Sequence, residues 1–305
     1  MKQFKIIGLM SGTSLDGLDI VYVNFIQDKN WKYEIINSKT YKYEKKWISF
    51  LKNISEEKIN SIIKIDKDYT KLLSEYILKF INEFSIKEID LICSHGHTAL
   101  HQPSNSLTYQ IGNLPILAKY INQKVVCDFR VQDIELGGQG APLVPVGEEY
   151  LFSEYNTLIN LGGFANITKR INNNLIAYDI CPINIVFNYL SREMELQYDD
   201  KGHIASTGKL NEDLYNCLQT LNYYKLDPPK SLGIEWVNDQ IHSILKNFNN
   251  VPIKDLMNTF SNHFASQIAK NIGEQDQVLI TGGGAYNNYL IEGIKNLTNS
   301  KITIP

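Results

Sequence analysis

One order of elements occurs twice along this chain, and it constrains the fold more than any other feature. Residues 4–10 (FKIIGLM) read as a compact apolar strand, residues 11–17 (SGTSLDG) as a turn, and residues 18–26 (LDIVYVNFI), rich in β-branched and aromatic side chains, as a second strand. Residues 31–43 alternate and predict a third strand. Between residues 57 and 84, Ile62, Ile65, Leu72, Leu73, Tyr76, Ile77 and Phe80 fall at helical spacing. The cycle restarts at residue 157: TLINL predicts a strand, GGFAN a turn, ITKRI and residues 175–178 two more strands, and residues 185–194 a helix. Two such halves imply two α/β domains with a cleft between them. Gly and Pro cluster in GGQGAPLVP (137–145), which predicts domains of residues 1–140 and 141–305. Further strands fit residues 89–93, 124–128 and 277–280, a helix fits 287–294, and KITIP at the end looks like the start of another strand.

Composition narrows the function classes. Apolar residues make up 43% of the 305 and charged residues 21%, as in soluble globular proteins. A net charge of −3 offers no basic field, so neither nucleic acid nor a membrane surface is an expected partner. No apolar run approaches the roughly 20 residues needed to cross a bilayer. The apolar stretch near the N-terminus is too short for a signal peptide. Cys93, Cys127, Cys181 and Cys217 lack CxxC spacing, and a reducing cytoplasm is the expected compartment.

Several motifs carry chemistry. In GLMSGTSLDGLD (8–19) a glycine turn between strands lets backbone N–H groups converge, and Ser11, Thr13 and Ser14 add hydroxyls; this predicts a phosphate cradle. Asp16 and Asp19 in the same motif are candidates to hold Mg²⁺, directly or through water. NLGGFANIT (160–168) places Gly162 and Gly163 after a strand, as a second phosphate loop or an ordinary turn. TGGGAYN (281–287) removes three Cβ atoms where a ring or phosphate can approach the backbone, or where a strand turns tightly into a helix. SHGHTALHQP (94–103) holds His95, His97 and His101 but no carboxylate, which disfavours a metal centre and favours a polar, substrate-facing loop; His101 is expected past a turn from the other two. Arg130, between Asp128 and Asp133, fits a clamp for a carboxylate or phosphate, or a surface ion pair. Asp179, at the predicted end of a strand in YDICPIN, fits a general base, or an acidic residue at a helix N-terminus.

Together these stretches, with QIGN (110–113), DFRVQDIELGGQGAPLVP, YDDKGHIASTG (198–208) and PPKSLGIEW (228–236), resemble the anhydro-N-acetylmuramic acid kinase family of the sugar-kinase, actin and Hsp70 superfamily. They stand in family order and span nearly the whole chain. The resemblance implies two RNase H-like (actin-like ATPase) domains around a nucleotide-binding cleft, with ATP and Mg²⁺ as cofactors and a small sugar as substrate. It makes the stretch Gly12, Thr13, Ser14, Leu15, Asp16, Gly17, Leu18 and Asp19 the first phosphate loop. Gly162 and Gly163 become the second, and Gly282, Gly283 and Gly284 the adenosine loop. Asp179 takes the place of the family's base, and Thr98, Arg130 and Glu235 the sugar side. The implied reaction is hydrolysis of the 1,6-anhydro bond and phosphorylation of O6, in peptidoglycan recycling, and a homodimer is admitted.

This sequence departs from the family pattern in places. DTGPGN stands here as DICPIN, Asn188 replaces a frequent Asp, and Ile234 a common Arg. Those changes keep two alternatives open: a kinase for another anhydro sugar such as levoglucosan, and a nucleotide-binding homologue with impaired catalysis. The family usually continues for several tens of residues after TGGGAYN, so a C-terminal segment returning to the first domain is expected to be missing.

Overall fold

The protein is described by a computed structural model that covers every residue except 13, 14, 16, 103, 104, 172, 173 and 229. It divides into two compact units, Met1–Leu151 and Phe152–Pro305.

The first unit runs β1 (Lys2–Ser11), β2 (Leu18–Gln27), β3 (Trp31–Tyr41), α1 (Lys45–Lys52), α2 (Ile59–Glu83), β4 (Leu91–Ser94), β5 (His97–Gln102), β6 (Leu107–Ile111), α3 (Ile116–Ile121), β7 (Val125–Val126), α4 (Phe129–Glu135) and α5 (Val144–Leu151). Its main sheet has the order β3-β2-β1-β4-β7. The first three strands are antiparallel, and β4 and β7 run parallel to β1. Alternation explains the buried face: Ile7 and Leu9 of β1 and Leu18 and Ile20 of β2 point inward. They join Ile62, Leu73, Ile77 and Phe80, which α2 presents from one side at helical spacing. On the sheet's other face Phe4, Ile6, Val21 and Phe25 are half-buried, and Met10 and Val126 are exposed.

The second unit runs β8 (Thr157–Leu161), β9 (Phe164–Ile171), β10 (Asn174–Pro182), α6 (Asn184–Arg192), α7 (His203–Thr207), α8 (Glu212–Gln219), α9 (Ile234–Trp236), α10 (His242–Lys246), α11 (Ile253–Lys270), β11 (Gln277–Thr281), α12 (Asn288–Lys295) and β12 (Lys301–Thr303). Its sheet repeats the first, in the order β10-β9-β8-β11-β12 with the same strand directions. The core gathers Ile159, Leu161, Val278 and Ile280 of the sheet with Phe187 of α6 and Phe260 and Phe264 of α11. Strand order 3-2-1-4-5 with the second strand antiparallel is the RNase H-like topology, and it occurs in both units. In each, a glycine turn joins the first two strands.

Several expectations change in detail. The polar segment SHGHTALHQP is not a loop: residues 97–102 form β5, paired antiparallel with β6. His101 therefore lies on the same strand as His97, not past a turn. The strand expected over residues 124–128 is only Val125–Val126. The turn expected over GGFAN shrinks to Gly162 and Gly163, because Phe164 already belongs to β9. Asp179 does not end its strand, which continues to Pro182. Among the described residues no helix is long and apolar enough to cross a membrane.

Candidate active site

Each unit carries part of the predicted chemistry. In the first, the glycine turn leaves β1 at Ser11, a buried residue whose hydroxyl accepts a hydrogen bond from Tyr43 Oη at 2.7 Å and lies 2.9 Å from His97 Nδ1. Tyr43 Oη is also 2.6 Å from Tyr69 Oη. Burial pushes the His97 imidazole down to about 4, so it stays neutral at physiological pH. This polar cluster ties the start of the turn to β5 and α2. Beyond it, Leu15 N–H donates to the Gly12 carbonyl at 3.3 Å, and Leu15 sits at φ 60°. At the far end a Cβ on Gly17 would overlap the Tyr41 carbonyl, so only glycine fits. Thr13, Ser14 and Asp16 lie outside the described residues. Leu18 opens β2 and points into the core. Asp19, the next residue, is exposed and accepts a hydrogen bond from Thr40 Oγ1.

Asp19 lines a cavity of about 630 Å³ on the open sheet face, together with Met10, Lys39, Thr40, Cys93, His95 and Phe129. Thr98 is half-buried on β5, one strand residue beyond His97. Arg130 lies on α4, and among the described residues it forms no ion pair. Its Nε donates to His95 Nε2 at 3.0 Å and its Nη1 to the Gly140 carbonyl at 2.6 Å. Among the described residues no group of three or more His, Cys, Asp or Glu is placed to hold a metal ion.

In the second unit the structure brings three predicted elements together around Leu161. Gly162 and Gly163 close the β8–β9 hairpin, and their carbonyls accept from the start of α6: Asn184 N–H to Gly162 at 3.3 Å, Ile183 N–H to Gly163 at 2.8 Å. The Asn184 side-chain amide donates to the Leu161 carbonyl at 3.1 Å. Gly282 and Gly284 pack on the same residue. Gly282 sits at φ +83° with its Cβ position 2.9 Å from the Leu161 backbone, and a Cβ on Gly284 would come within 2.8 Å of the Leu161 Cβ. These two glycines are thus required by close packing. Gly163 and Gly283 differ: a Cβ on Gly163 would meet nothing within 4 Å, and one on Gly283 only Asn184 Nδ2 at 3.9 Å. Bare backbone with open space in front of it fits the approach of a phosphate or an adenosine ring.

Asp179 stands on β10 opposite Asn166, where the register shifts between Asp179 and Cys181. The bulge leaves Ile180 buried and re-aims the strand. Residues 230–232 run alongside: Asp179 N–H donates to the Lys230 carbonyl at 3.3 Å, and Leu232 N–H donates to Asp179 Oδ2 at 2.9 Å. Tyr223 Oη donates to the Asp179 carbonyl at 2.6 Å. Burial raises the carboxyl pKa against the opposing bond from Leu232, and no ion pair is found at Asp179 among the described residues. Glu235 is exposed in the first turn of α9, three residues beyond Leu232, and a π-helical turn (Val237–Ile241) follows. The segment PPKSLGIEW thereby supplies the scaffold of Asp179, a role for Lys230 and Leu232 that only its place among the quoted motifs hinted at.

Two RNase H-like units, each with a glycine turn between its first two strands, define the class of the sugar-kinase and actin-like ATPase superfamily. The chain belongs to the anhydro-N-acetylmuramic acid kinase family, whose profile matches residues 4–303. It is 33% identical over 327 residues to the anhydro-N-acetylmuramic acid kinase of Bacillus cereus (strain ATCC 10987 / NRS 248), covering 97% of this chain and 85% of that protein. The protein of the same name in Bacillus thuringiensis (strain Al Hakam) is 31% identical over 331 residues, covering 97% and 84%. Among solved structures, component A of (R)-2-hydroxyglutaryl-CoA dehydratase from Acidaminococcus fermentans aligns over 98% of this chain and 92% of its own, with 12% identity and a TM-score of 0.48. The chain is a phosphotransferase with an alcohol group as acceptor.

Proposed function

We propose that this protein is an ATP-dependent kinase that opens the 1,6-anhydro bridge of anhydro-N-acetylmuramic acid and phosphorylates O6. The product is N-acetylmuramic acid 6-phosphate, made in the cytoplasm during cell-wall recycling. The observation that carries the reading is Asp179: a half-buried carboxylate at a bulge, with one oxygen held by Leu232 N–H and the other unengaged among the described residues. A 1,6-anhydro sugar has no free 6-hydroxyl, so a base must first bring water to the ring.

Asp179 takes a proton from water while the water oxygen bonds to C1. The C1–O6 bond breaks, and O6 keeps the electron pair. O6 then attacks the γ-phosphorus of ATP, and the bond to the ADP oxygen breaks. One water, one sugar and one ATP give the sugar phosphate, ADP and one proton. The stretch Gly12–Asp19 and the Gly162–Gly163 turn hold phosphates, and Gly282–Gly284 meets the adenosine. Asp19 keeps one carboxylate oxygen clear of Thr40, which suits a water of hydrated Mg²⁺, with Asp16 as its second carboxylate. Bound Mg²⁺ supplies charge neutralisation on the transferring phosphoryl group. Thr98 and Glu235 are sugar contacts, and Arg130 meets the lactyl carboxylate. Positioning and charge stabilisation provide most of the rate.

Mass spectrometry of the products from ATP with anhydro-N-acetylmuramic acid, and in parallel with levoglucosan, tests the proposal. N-acetylmuramic acid 6-phosphate from the first sugar supports it. Phosphate transfer only to levoglucosan overturns the substrate, and transfer to neither overturns the kinase reading.

A further inference from the structure

Arg130 is half-buried, yet among the described residues no carboxylate forms an ion pair with it. Its two hydrogen-bond acceptors are neutral: His95 Nε2 at 3.0 Å and the Gly140 carbonyl at 2.6 Å. The tautomer of His95 follows from its partners. Its Nδ1 lies 2.9 Å from the Gly96 carbonyl, which can only accept, so Nδ1 carries the proton and Nε2 offers a lone pair to the Arg130 Nε–H. A half-buried guanidinium held by neutral acceptors keeps its charge uncompensated, which suits pairing with an incoming anion.

The hold on His95 is itself anchored. His95 N–H donates to the Leu9 carbonyl at 3.1 Å, and the His95 carbonyl accepts from Asn113 Nδ2 at 3.2 Å. Asn113 Oδ1 accepts from Ser94 Oγ at 2.8 Å, and the preceding Gly112 N–H is fixed by the buried Asp66 carboxylate at 2.7 Å. Gly96 sits at φ +69°, where a Cβ would overlap the Ile111 carbonyl, so its carbonyl direction is set by the backbone. Gly140, on the other side of Arg130, donates its N–H to Asp133 Oδ2 at 2.6 Å. QIGN, α2 and the β4–β5 junction thus converge on one guanidinium.

We propose that His95 is a positioning residue for substrate selection: as a neutral acceptor it fixes Arg130 by its Nε edge and leaves Nη2 to meet a carboxylate on the sugar. This rests on the reading of Arg130 as the lactyl contact. The arrangement holds only while the ring is neutral. Burial lowers the His95 pKa, with the bond to the Gly96 carbonyl opposing and the charge of Arg130 reinforcing it. Among the described residues, the other titratable groups near the ring and Arg130 include Cys93 on β4, His97 and His101 on β5, Asp19 on β2, Lys39 on β3 and Asp128 before α4, and the charge of Arg130 acts on His101 as well. As pH falls through the lowered pKa, the ring becomes a cation with two donors and no acceptor, and it repels Arg130.

Calorimetric affinities of the full chain for anhydro-N-acetylmuramic acid and for 1,6-anhydro-N-acetylglucosamine, which lacks the carboxylate, test this. Arg130→Met should weaken the acidic sugar about 100-fold and His95→Leu roughly tenfold, the scale of hydrogen bonds to charged groups, while the neutral sugar changes little. His95→Gln, whose side-chain oxygen can replace Nε2, should return to within about threefold of the parent. Its affinity should fall less in acid than the parent's, with the remaining fall set by His101 beside Arg130. If His95→Leu binds both sugars like the parent, weakens both equally, or matches His95→Gln, the inference is overturned. A silent Arg130→Met would instead remove the reading of Arg130 on which it rests.

Discussion

Asp179 is where residue-level physics decides most. A carboxylate beside water would be a weak base, and its half-buried place on β10 raises its pKa from the ordinary 3.8. The base form must be ionised to act. kcat/KM should therefore be full above the raised pKa and fall as pH drops through it, on a limb lying above that of an ordinary aspartate. A pH profile checks this, and a limb at the ordinary value would mean that burial does not tune the group. The glycines at 282–284 invite a paired test. Gly282→Ala forces a side chain into left-handed backbone against Leu161 and should cost about 1–3 kcal/mol of stability. Gly283→Ala meets only open space, so it should leave thermal stability near the parent's while weakening ATP binding. Melting curves beside ATP titrations separate the two. If both variants lose stability equally, Gly283 is packed rather than open.

At the scale of elements, legibility followed the kind of burial. Strands of both sheets could be placed because β-branched and aromatic residues mark them, as in LDIVYVNFI, and α2 because its buried positions recur at helical spacing. Residues 195–276 carried no such signal. Helix α11 is the instructive case: it buries Asn258, Thr259, Ser261, His263 and Gln267 along with Phe260 and Phe264, so no apolar stripe separates its faces. The hairpin β5–β6 was hidden by its histidines. His97 is buried with partners supplied from elsewhere in the chain, the Leu51 backbone and Ser11 Oγ, and the Ser11 contact bridges 86 positions of sequence. The candidate site was legible as motifs and illegible as supports: Asp179 stood out, but Leu232 and the bulge did not. Asp66 is a support of this kind. Its buried carboxylate accepts from Gly112 N–H, Tyr109 Oη and Thr70 Oγ1 at 2.7, 2.7 and 3.1 Å. Asp66→Asn turns one acceptor into a donor facing donors and should cost about 1–3 kcal/mol, read by denaturant unfolding. Unchanged stability would show that these bonds are readily replaced by water.

For the whole molecule, the repeated order of strand, glycine turn, strand, strand and helix was the most informative reading, since both units carry it with identical strand order. Each unit has its own buried apolar core. That repetition and the family match define a phosphotransferase, and DICPIN in place of DTGPGN makes the base its most exposed point. The decisive comparison is turnover and ligand affinity measured side by side for the parent and Asp179→Asn. The variant keeps the shape of the side chain but cannot accept the proton from water. It should bind ATP and anhydro-N-acetylmuramic acid as the parent does and turn over about 10²–10⁴-fold more slowly. Near-parental turnover in that variant would contradict the account and pass the role to another carboxylate, with Glu235 the first to examine.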